Sequence, residues 1–357
     1  FASGTAAAAA GGVTCVADMP CTSLPPVVDR ESLENKLRIV DPKAHVDYLL
    51  WGGVSGNSVA DLQWSKHLAD LADAGIAAVK VYMLSGMDTF RDLTMAEIRA
   101  VMADAHRLGI PVGIHAEDRS IVEQLTERAL ERGEDSPAAY AASRPSAAEA
   151  SAVSAAVEAC RATGARVHIV HLASGEALDI VSAARFEDMP ISAETCPHYL
   201  EFTSDDFERL GPILKTAPVV KSEADRERLW QGLASGELSF VATDHAAGRW
   251  PEEKQTGSIW TDYGGVPGVE LMLPYLYSEG FGKGRITLQR LTEITASEPA
   301  RFFGVDHRKG YLRPGCDADF VAFDRDVSWT VRAADLHNLN RYTPFEGREF
   351  NGRVRAT

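Results

Sequence analysis

Short apolar runs alternate with amphipathic stretches through the first two thirds of the chain. Stretches such as Leu62–Ala74, Met95–Leu108, Ala147–Thr163 and Glu223–Ala234 have the periodicity of helices. Between them lie seven apolar or β-branched runs that predict strands: Val13–Asp18, His45–Leu50, Ala77–Met83, Pro111–His115, Val167–His171, Ile191–Thr195 and Phe240–Thr243. This alternation predicts parallel βα units, of which eight would close a (β/α)8 TIM-type barrel.

A doubly wound open sheet is the alternative arrangement of the same units. Its dinucleotide-binding members carry a GxGxxG sequence directly after a strand, where glycines allow the backbone to approach a pyrophosphate. No such sequence follows any of the predicted strands. We therefore predict the barrel.

The pattern changes after Asp244. A loop containing Gly and Trp, Ala246–Gly268, precedes helical segments near Val269–Tyr277 and Leu288–Thr295. Lys309–Asp324 then alternates between polar and apolar residues as a strand does. We predict that residues 1–309 form the barrel and that residues 310–357 form the C-terminal part of a small β-sandwich-like domain.

Charge and cysteine content narrow the functional classes. The formal net charge of −15 argues against nucleic acid or an anionic membrane as partner, because both require clustered Lys and Arg. The five cysteines include no CxxC pair, a pattern that favours reduced thiols over a disulfide framework or a zinc finger. No apolar run approaches the roughly 20 residues of a membrane helix. A cytoplasmic protein is expected.

Candidate chemistry lies at the ends of the predicted strands. Lys80 lies within the third strand, His115 and His171 end the fourth and fifth, and Asp244 follows the seventh. A single His at a strand end is more often a hydrogen-bonded core residue than a metal ligand. In a barrel, however, the carboxyl ends of all strands meet at one face. There, two histidines and a carboxylate form a reasonable ligand set for zinc or a similar divalent ion.

These residues resemble those of the cyclic amidohydrolases, the family that includes allantoinase, dihydroorotase and hydantoinase. The resemblance spans essentially the whole chain. The motifs that carry it are Gly11–Pro20, Lys80-Val-Tyr-Met83, His115-Ala-Glu117, Arg144-Pro145, Val170–Ser174, Glu194–Leu200, Thr243-Asp-His245, Gly265–Glu270 and Gly315–Phe320.

The resemblance implies roles for the candidate residues. A lysine in the position of Lys80 is carboxylated by CO2 in this family and bridges two divalent metal ions. His115 and His171 match the ligands of one ion, and Asp244 matches a ligand of the other and serves as proton shuttle. The implied reaction is attack of a metal-activated hydroxide on a ring amide carbonyl. Zinc is the expected metal, with cobalt, manganese and iron as alternatives.

Two further family ligands form a His-x-His pair at the end of the first strand. No His-x-His sequence occurs in the 357 residues. The resemblance therefore implies that this strand lies outside the chain, and that the chain by itself catalyses the reaction poorly or not at all.

Backbone groups hold the substrate ring in hydantoinase-like members of the family. Ala217 and Gly264 occupy the matching positions, although Gly264-Gly265 also suits a plain turn. His198, in Cys-Pro-His, is expected to support the site rather than bind metal. His168, three residues before His171, is expected to lie on the other face of its strand or at the base of the barrel.

The sequence favours allantoin, opened to allantoate, as substrate. The run Met19-Pro20-Cys21-Thr22-Ser23-Leu24-Pro25-Pro26 resembles allantoinase and lacks the Asn that dihydroorotases carry there, and Ser85 replaces the Tyr usual in hydantoinases. Thr22 and Ser297–Pro299 depart from the allantoinase pattern. Dihydroorotase and hydantoinase or dihydropyrimidinase activity therefore stay open, as does a catalytically inactive scaffold-type homologue. A small cyclic amide or ureide is the expected partner, together with further copies of the chain in a dimer or tetramer.

Overall fold

Parallel strands lie where the sequence predicts them. In the computed structural model, which describes residues 1–357, each predicted run contains a strand. The strands are Cys15–Asp18 (β1), Asp47–Leu50 (β2), Gly52–Gly53 (β3), Val79–Tyr82 (β4), Val112–His115 (β5), Val167–Ile169 (β6), Ile191–Thr195 (β7) and Phe240–Val241 (β8). Most are shorter than predicted, because residues such as His171 and Thr243 already belong to the loops that follow the strands.

The strands pair in chain order. β3 to β8 form one six-stranded parallel sheet, and β1 pairs with β2 in a second. Only Trp51 separates β2 from β3, so the two sheets continue one another along the chain. β1 and β8 do not pair with each other. In-order parallel strands joined by helices are the arrangement of a TIM-type barrel, with all carboxyl ends at one face.

Helices connect successive strands and bury one face against them. The helices are α1 Ala2–Ala10, α2 Arg30–Val40, α3 Trp64–Asp73, α4 Met95–Leu108, α5 Arg119–Glu131, α6 Pro137–Ser143, α7 Ser146–Thr163, α8 Gly175–Phe186, α9 Pro197–Glu201, α10 Ser204–Leu210, α11 Glu223–Ser235, α12 Met272–Tyr275, α13 Leu288–Thr292 and α14 Glu298–Phe302. Local sequence sets their ends: α4 begins at a Thr94–Glu97 capping box and stops at Gly109, whose φ is 72°. No helix combines the length and apolarity that crossing a bilayer requires.

The C-terminal residues form an antiparallel pair, Ala322–Thr330 (β9) and Glu349–Ala356 (β10). The prediction that Lys309–Asp324 is a strand is wrong for most of that run, since only its last three residues belong to β9. Pro314 cannot donate to a strand ladder, and Gly315 adopts a φ of 95° that breaks it. Lys309 instead binds the carboxylates of Asp317 and Asp319.

Trp51 makes a tight contact with β5 in a small apolar cluster beside the main core. Trp51 is buried and packs on Phe302 and Phe303 at ring-centroid distances of 6.4 and 5.7 Å. Its indole also lies against Gly113, where an added Cβ would be 2.4 Å from the ring. The strand can approach the indole this closely only because position 113 has no side chain.

We therefore expect Gly113→Ala to destabilise the protein by about 1–3 kcal/mol, since overpacking a rigid core forces side chains off their rotamers. Gly4→Ala is the matched control, because a Cβ at Gly4 in α1 would meet no atom within 4 Å. Denaturant unfolding followed by circular dichroism measures both. Equal stability of the two variants would contradict the packing argument.

Candidate active site

The carboxyl ends of three strands, and one residue inside a fourth, bring the predicted residues together. His115 ends β5, His171 lies two residues beyond β6 and Asp244 three beyond β8. All three line one cavity of about 1690 Å³, which also runs along β1 and β8. Lys80, in β4, is buried beside this cavity. The structure thus gathers the four residues that the sequence singled out.

His115 and His171 face each other through ring nitrogens. Nδ1 of His115 is 3.1 Å from Nε2 of His171, and both side chains are buried. Burial lowers the pKa of each imidazole, and the positive charges of His115 and Lys80 lower that of His171 further. Two buried imidazole nitrogens this close together suit the coordination of one divalent metal ion.

A buried ion pair supports this arrangement from behind. Nε2 of His115 lies 2.9 Å from Oε2 of Glu117, which accepts a hydrogen bond of 2.6 Å from Nη1 of Arg144. Glu117 therefore holds the His115 proton on Nε2 and leaves Nδ1 free to face His171. The Arg144 guanidinium and the hydrogen bond from His115 keep the pKa of Glu117 far below its usual range despite burial.

Backbone strain concentrates at the same place. Only three non-glycine residues have a positive φ, and His171 and Asp244 are two of them, each at 42°. Such a conformation costs on the order of 1–2 kcal/mol and persists where the surrounding structure enforces it, often at functional sites. The third residue, Asp188, has a φ of 59° at the end of α8, where a polar residue in this conformation is ordinary.

Lys80 has no hydrogen-bond partner for its buried Nζ, which lies 4.4 Å from the centroid of the Tyr82 ring. Burial lowers the Lys80 pKa to about 8, against the opposing charges of Cys21, Asp244 and Glu194. Burial also raises the pKa of Asp244 to about 6, although Lys80 acts in the opposite direction. An unpartnered buried amine beside two histidines and a carboxylate fits a site that metal ions complete.

The two predicted substrate contacts, Ala217 and Gly264, also line the cavity. At the neighbouring Gly265 a Cβ would lie 2.3 Å from the carbonyl oxygen of Ala246, and its amide donates to the Lys215 carbonyl at 2.8 Å. A Cβ at Gly264 would meet no atom within 4 Å. Gly265 is therefore required by close packing, and substrate binding by Gly264 stays a prediction.

Two histidines lie outside the ligand set. His168 is buried deeper in the barrel, with Nδ1 2.7 Å from Ser192 Oγ and its ring between Phe240 and Phe302. That is the base-of-barrel position the sequence suggested. His198 is buried against Tyr199, does not line the cavity, and has no partner for Nε2.

Sequence reasoning missed the residues that support the site. The sequence showed Glu117 only as part of the His115-Ala-Glu117 motif. Its ion pair with Arg144 joins residues 27 positions apart, so no local pattern predicts it. Tyr82 stacks on His115 at 5.1 Å and contacts Cys21 Sγ through its hydroxyl at 3.1 Å. No local pattern indicates that contact, because Cys21 is 61 residues away.

Two buried lysines hold the loop that contains Gly264. Lys254 Nζ donates to the carbonyls of Tyr263 and Gly265 at 3.0 and 2.8 Å, and Lys215 Nζ donates to that of Asp262 at 2.5 Å. Burial lowers the Lys254 pKa to about 7, and the nearby charge of Lys215 lowers it further. The backbone of the loop is thus held by one buried lysine outside it, Lys215, and by one of its own, Lys254.

Comparison with known proteins places the fold and site in one class. The model of the amidohydrolase family matches residues 1–357, and the chain belongs to that family, whose members generally use divalent metal ions. A solved L-hydantoinase from Arthrobacter aurescens superposes with a TM-score of 0.94 at 29% identity, covering 100% of this chain and 78% of that one. The predicted TIM-type barrel and family are confirmed.

The relatives found by sequence narrow the class of enzyme further. An allantoinase from Rubrobacter xylanophilus is 37% identical over 361 residues, covering 100% of this chain and 77% of its own length. An allantoinase from Deinococcus radiodurans is 36% identical and is covered over 78% of its length. The chain is therefore an amidohydrolase with allantoinases among its similar relatives.

Glu117→Gln tests the support of His115. The amide keeps the shape but removes the charge, which leaves Arg144 buried without a counterion and no longer fixes the His115 tautomer. We expect zinc affinity to fall about 10–100-fold and stability to fall by about 3–5 kcal/mol. Zinc competition titration and denaturant unfolding measure the two effects. Glu123→Gln, an exposed change on α5, serves as control, and equal zinc affinity of the two variants would refute the role of Glu117.

Lys254 makes stability depend on pH. Its folded pKa of about 7 lies below the ordinary 10.5, so between these values the unfolded chain binds a proton that the folded chain does not. The contribution of Lys254 to the free energy of unfolding therefore rises with pH above 7. Between pH 7 and 9, we expect the protein to gain on the order of 1–2 kcal/mol relative to Lys254→Met. Lys283→Met, at an exposed lysine, should show no such difference; parallel curves for Lys254→Met would contradict the assignment.

Proposed function

We propose that this protein hydrolyses a C–N bond of a cyclic amide, and that its substrate is allantoin, which it opens to allantoate. The observation that carries the proposal is that His115, His171 and Asp244 converge on one cavity from the ends of three strands, with Lys80 buried in β4 close enough to Asp244 for each charge to shift the other's pKa. The allantoinases similar to this chain over its whole length support the choice of allantoin.

Lys80, His115, His171 and Asp244 are the residues that would hold two divalent metal ions, with zinc as the first choice. When bound, such ions lower the pKa of water and polarise a carbonyl group. Lys80 would serve as a carbamate, formed when its amine adds to CO2 and loses a proton. That reaction replaces a buried, unpartnered amine with an anionic oxygen ligand.

The other steps belong to the protein's own groups. Asp244 takes a proton from the attacking water and delivers it to the ring nitrogen as the C–N bond breaks. Glu117 holds His115 in the tautomer that keeps Nδ1 available. The cavity surrounds the ring, and the backbone of Ala217 and Gly264 offers hydrogen-bonding groups to its amide edges.

Hydrolysis of a hydantoin is the second candidate. The L-hydantoinase that superposes on 100% of this chain supports it, because the cavity walls follow the same fold. Hydantoin and allantoin share the five-membered ring imide, so the two activities differ in the groups that recognise the ring substituent.

The test is zinc content combined with turnover of a panel of allantoin, hydantoins and dihydroorotate, made on the chain joined to the first strand that carries the family's His-x-His pair. We expect bound zinc and a kcat/KM for allantoin above that for the other rings. Turnover of dihydroorotate alone would overturn the substrate assignment. A protein that folds but neither binds zinc nor turns over any ring would be an inactive scaffold-type homologue.

Asp244→Asn tests whether the measured hydrolysis comes from this site rather than from a contaminating enzyme. Removal of the proton shuttle should lower kcat about 10²–10⁴-fold. Asp188→Asn is a matched control, because Asp188 also has a positive φ but does not line the cavity. Equal activity of the two variants would exclude Asp244 from the reaction.

A further inference from the structure

Tyr263 is an aromatic residue of the cavity and lies outside the proposed metal and substrate ligands. It lies in the loop after β8, directly before Gly264, and lines the same cavity as His115, His171 and Asp244. Any ring bound among those three residues shares the cavity with the Tyr263 side chain.

The Tyr263 ring is held rigidly by its surroundings. A Cβ at Gly248 would lie 2.6 Å from Cδ1 of Tyr263, and one at Gly265 would lie 2.9 Å from Cε1. The edge of the Tyr263 ring therefore packs directly against the backbone of Gly248 and Gly265, where no side chain intervenes. The Tyr263 amide donates to the Glu253 carbonyl at 2.7 Å, and its own carbonyl accepts the 3.0 Å bond from Lys254. A group fixed in this way loses little entropy when it binds a ligand.

Two other tyrosine hydroxyls of this cavity are already engaged. The Tyr82 hydroxyl contacts Cys21, and the Tyr140 hydroxyl donates to the Thr216 carbonyl at 3.3 Å. Ser85 donates to the Phe90 carbonyl at 2.7 Å, which commits it to a turn. The Tyr263 hydroxyl, in contrast, has no side-chain or backbone partner. Burial and then the negative charges of Asp244 and Cys21 raise the pKa of Tyr263, so the phenol stays protonated at neutral pH and remains a donor.

We infer that the Tyr263 hydroxyl donates a hydrogen bond to a carbonyl oxygen of the cyclic amide and orients the ring beside Asp244. This inference rests on the proposed function and adds a catalytic residue to it. A donor fixed before the substrate arrives is effective where negative charge develops on a carbonyl oxygen, because it need not reorganise during the reaction.

Tyr263→Phe removes only the hydroxyl. We expect kcat for allantoin to fall roughly 10–100-fold while KM changes less than about threefold, the pattern of an interaction made mainly in the transition state. Zinc content and unfolding midpoint should match the unmodified protein. Tyr48→Phe is the matched control, since Tyr48 lies in β2 outside the cavity and bonds Asp41. An unchanged kcat in Tyr263→Phe would overturn the inference.

A second variant tests positioning without touching the phenol. Gly248→Ala places a methyl group against the Tyr263 ring and should shift it, lowering kcat in the same sense. If the loss acts through Tyr263, the double variant should be no slower than Tyr263→Phe alone. Fully additive losses would mean that Gly248→Ala acts elsewhere and that the ring position is unimportant.

A binding measurement keeps this inference separate from the proposed function. Hydantoin binding to the zinc-loaded protein should perturb the near-ultraviolet absorbance of a tyrosine, and Tyr263→Phe should abolish that signal. If the unmodified protein turns over no cyclic amide, the proposed function fails, whereas the spectrum still tests Tyr263. Identical difference spectra of the two proteins, or no hydantoin binding to either, would overturn the inference.

Discussion

The register of three neighbouring strands places the histidine pair, and most of the site depends on it. Tyr82 of β4 pairs with His115 of β5. Two residues earlier in each strand, Lys80 pairs with Gly113, which in turn pairs with His168 of β6. Side chains two apart in a strand share a face, so Lys80 lies one layer beneath His115. His171 is three residues after His168, and simple alternation would turn it away. Its positive φ, after the strand has ended at Ile169, brings the imidazole back to His115.

This geometry requires charged groups to be buried, and the protein offsets the cost with specific partners. Glu117 and Arg144 neutralise one another behind His115. Glu149, also buried, accepts the Ala173 amide at 2.9 Å, and Lys221 donates to the Arg144 carbonyl at 2.5 Å. A buried charge without such a partner would cost several kcal/mol. Lys80 is the exception, which is why its environment points to a bound group.

The loop after β8 contains no helix or strand, so other contacts must hold its conformation. Lys215 and Lys254 reach its carbonyls from the interior, and Gly248 and Gly265 let the Tyr263 ring lie against bare backbone. Loops that carry function are commonly positioned by a rigid scaffold. Here Lys215 from the scaffold and the loop's own Lys254 bind the loop carbonyls, and two glycines of the loop leave room for the Tyr263 ring.

The sequence by itself determined the order of strands and helices, the family, and the four residues Lys80, His115, His171 and Asp244. Periodicity and motifs are local, and a barrel brings every strand's carboxyl end to one face whatever the loop details. Only the tertiary structure decided that His115 Nδ1 meets His171 Nε2, that Glu117 pairs with Arg144, and that Tyr263 faces the cavity. Those contacts join residues far apart in the chain, and their geometry follows from register, strained turns and close packing, none of which leaves a pattern in neighbouring residues.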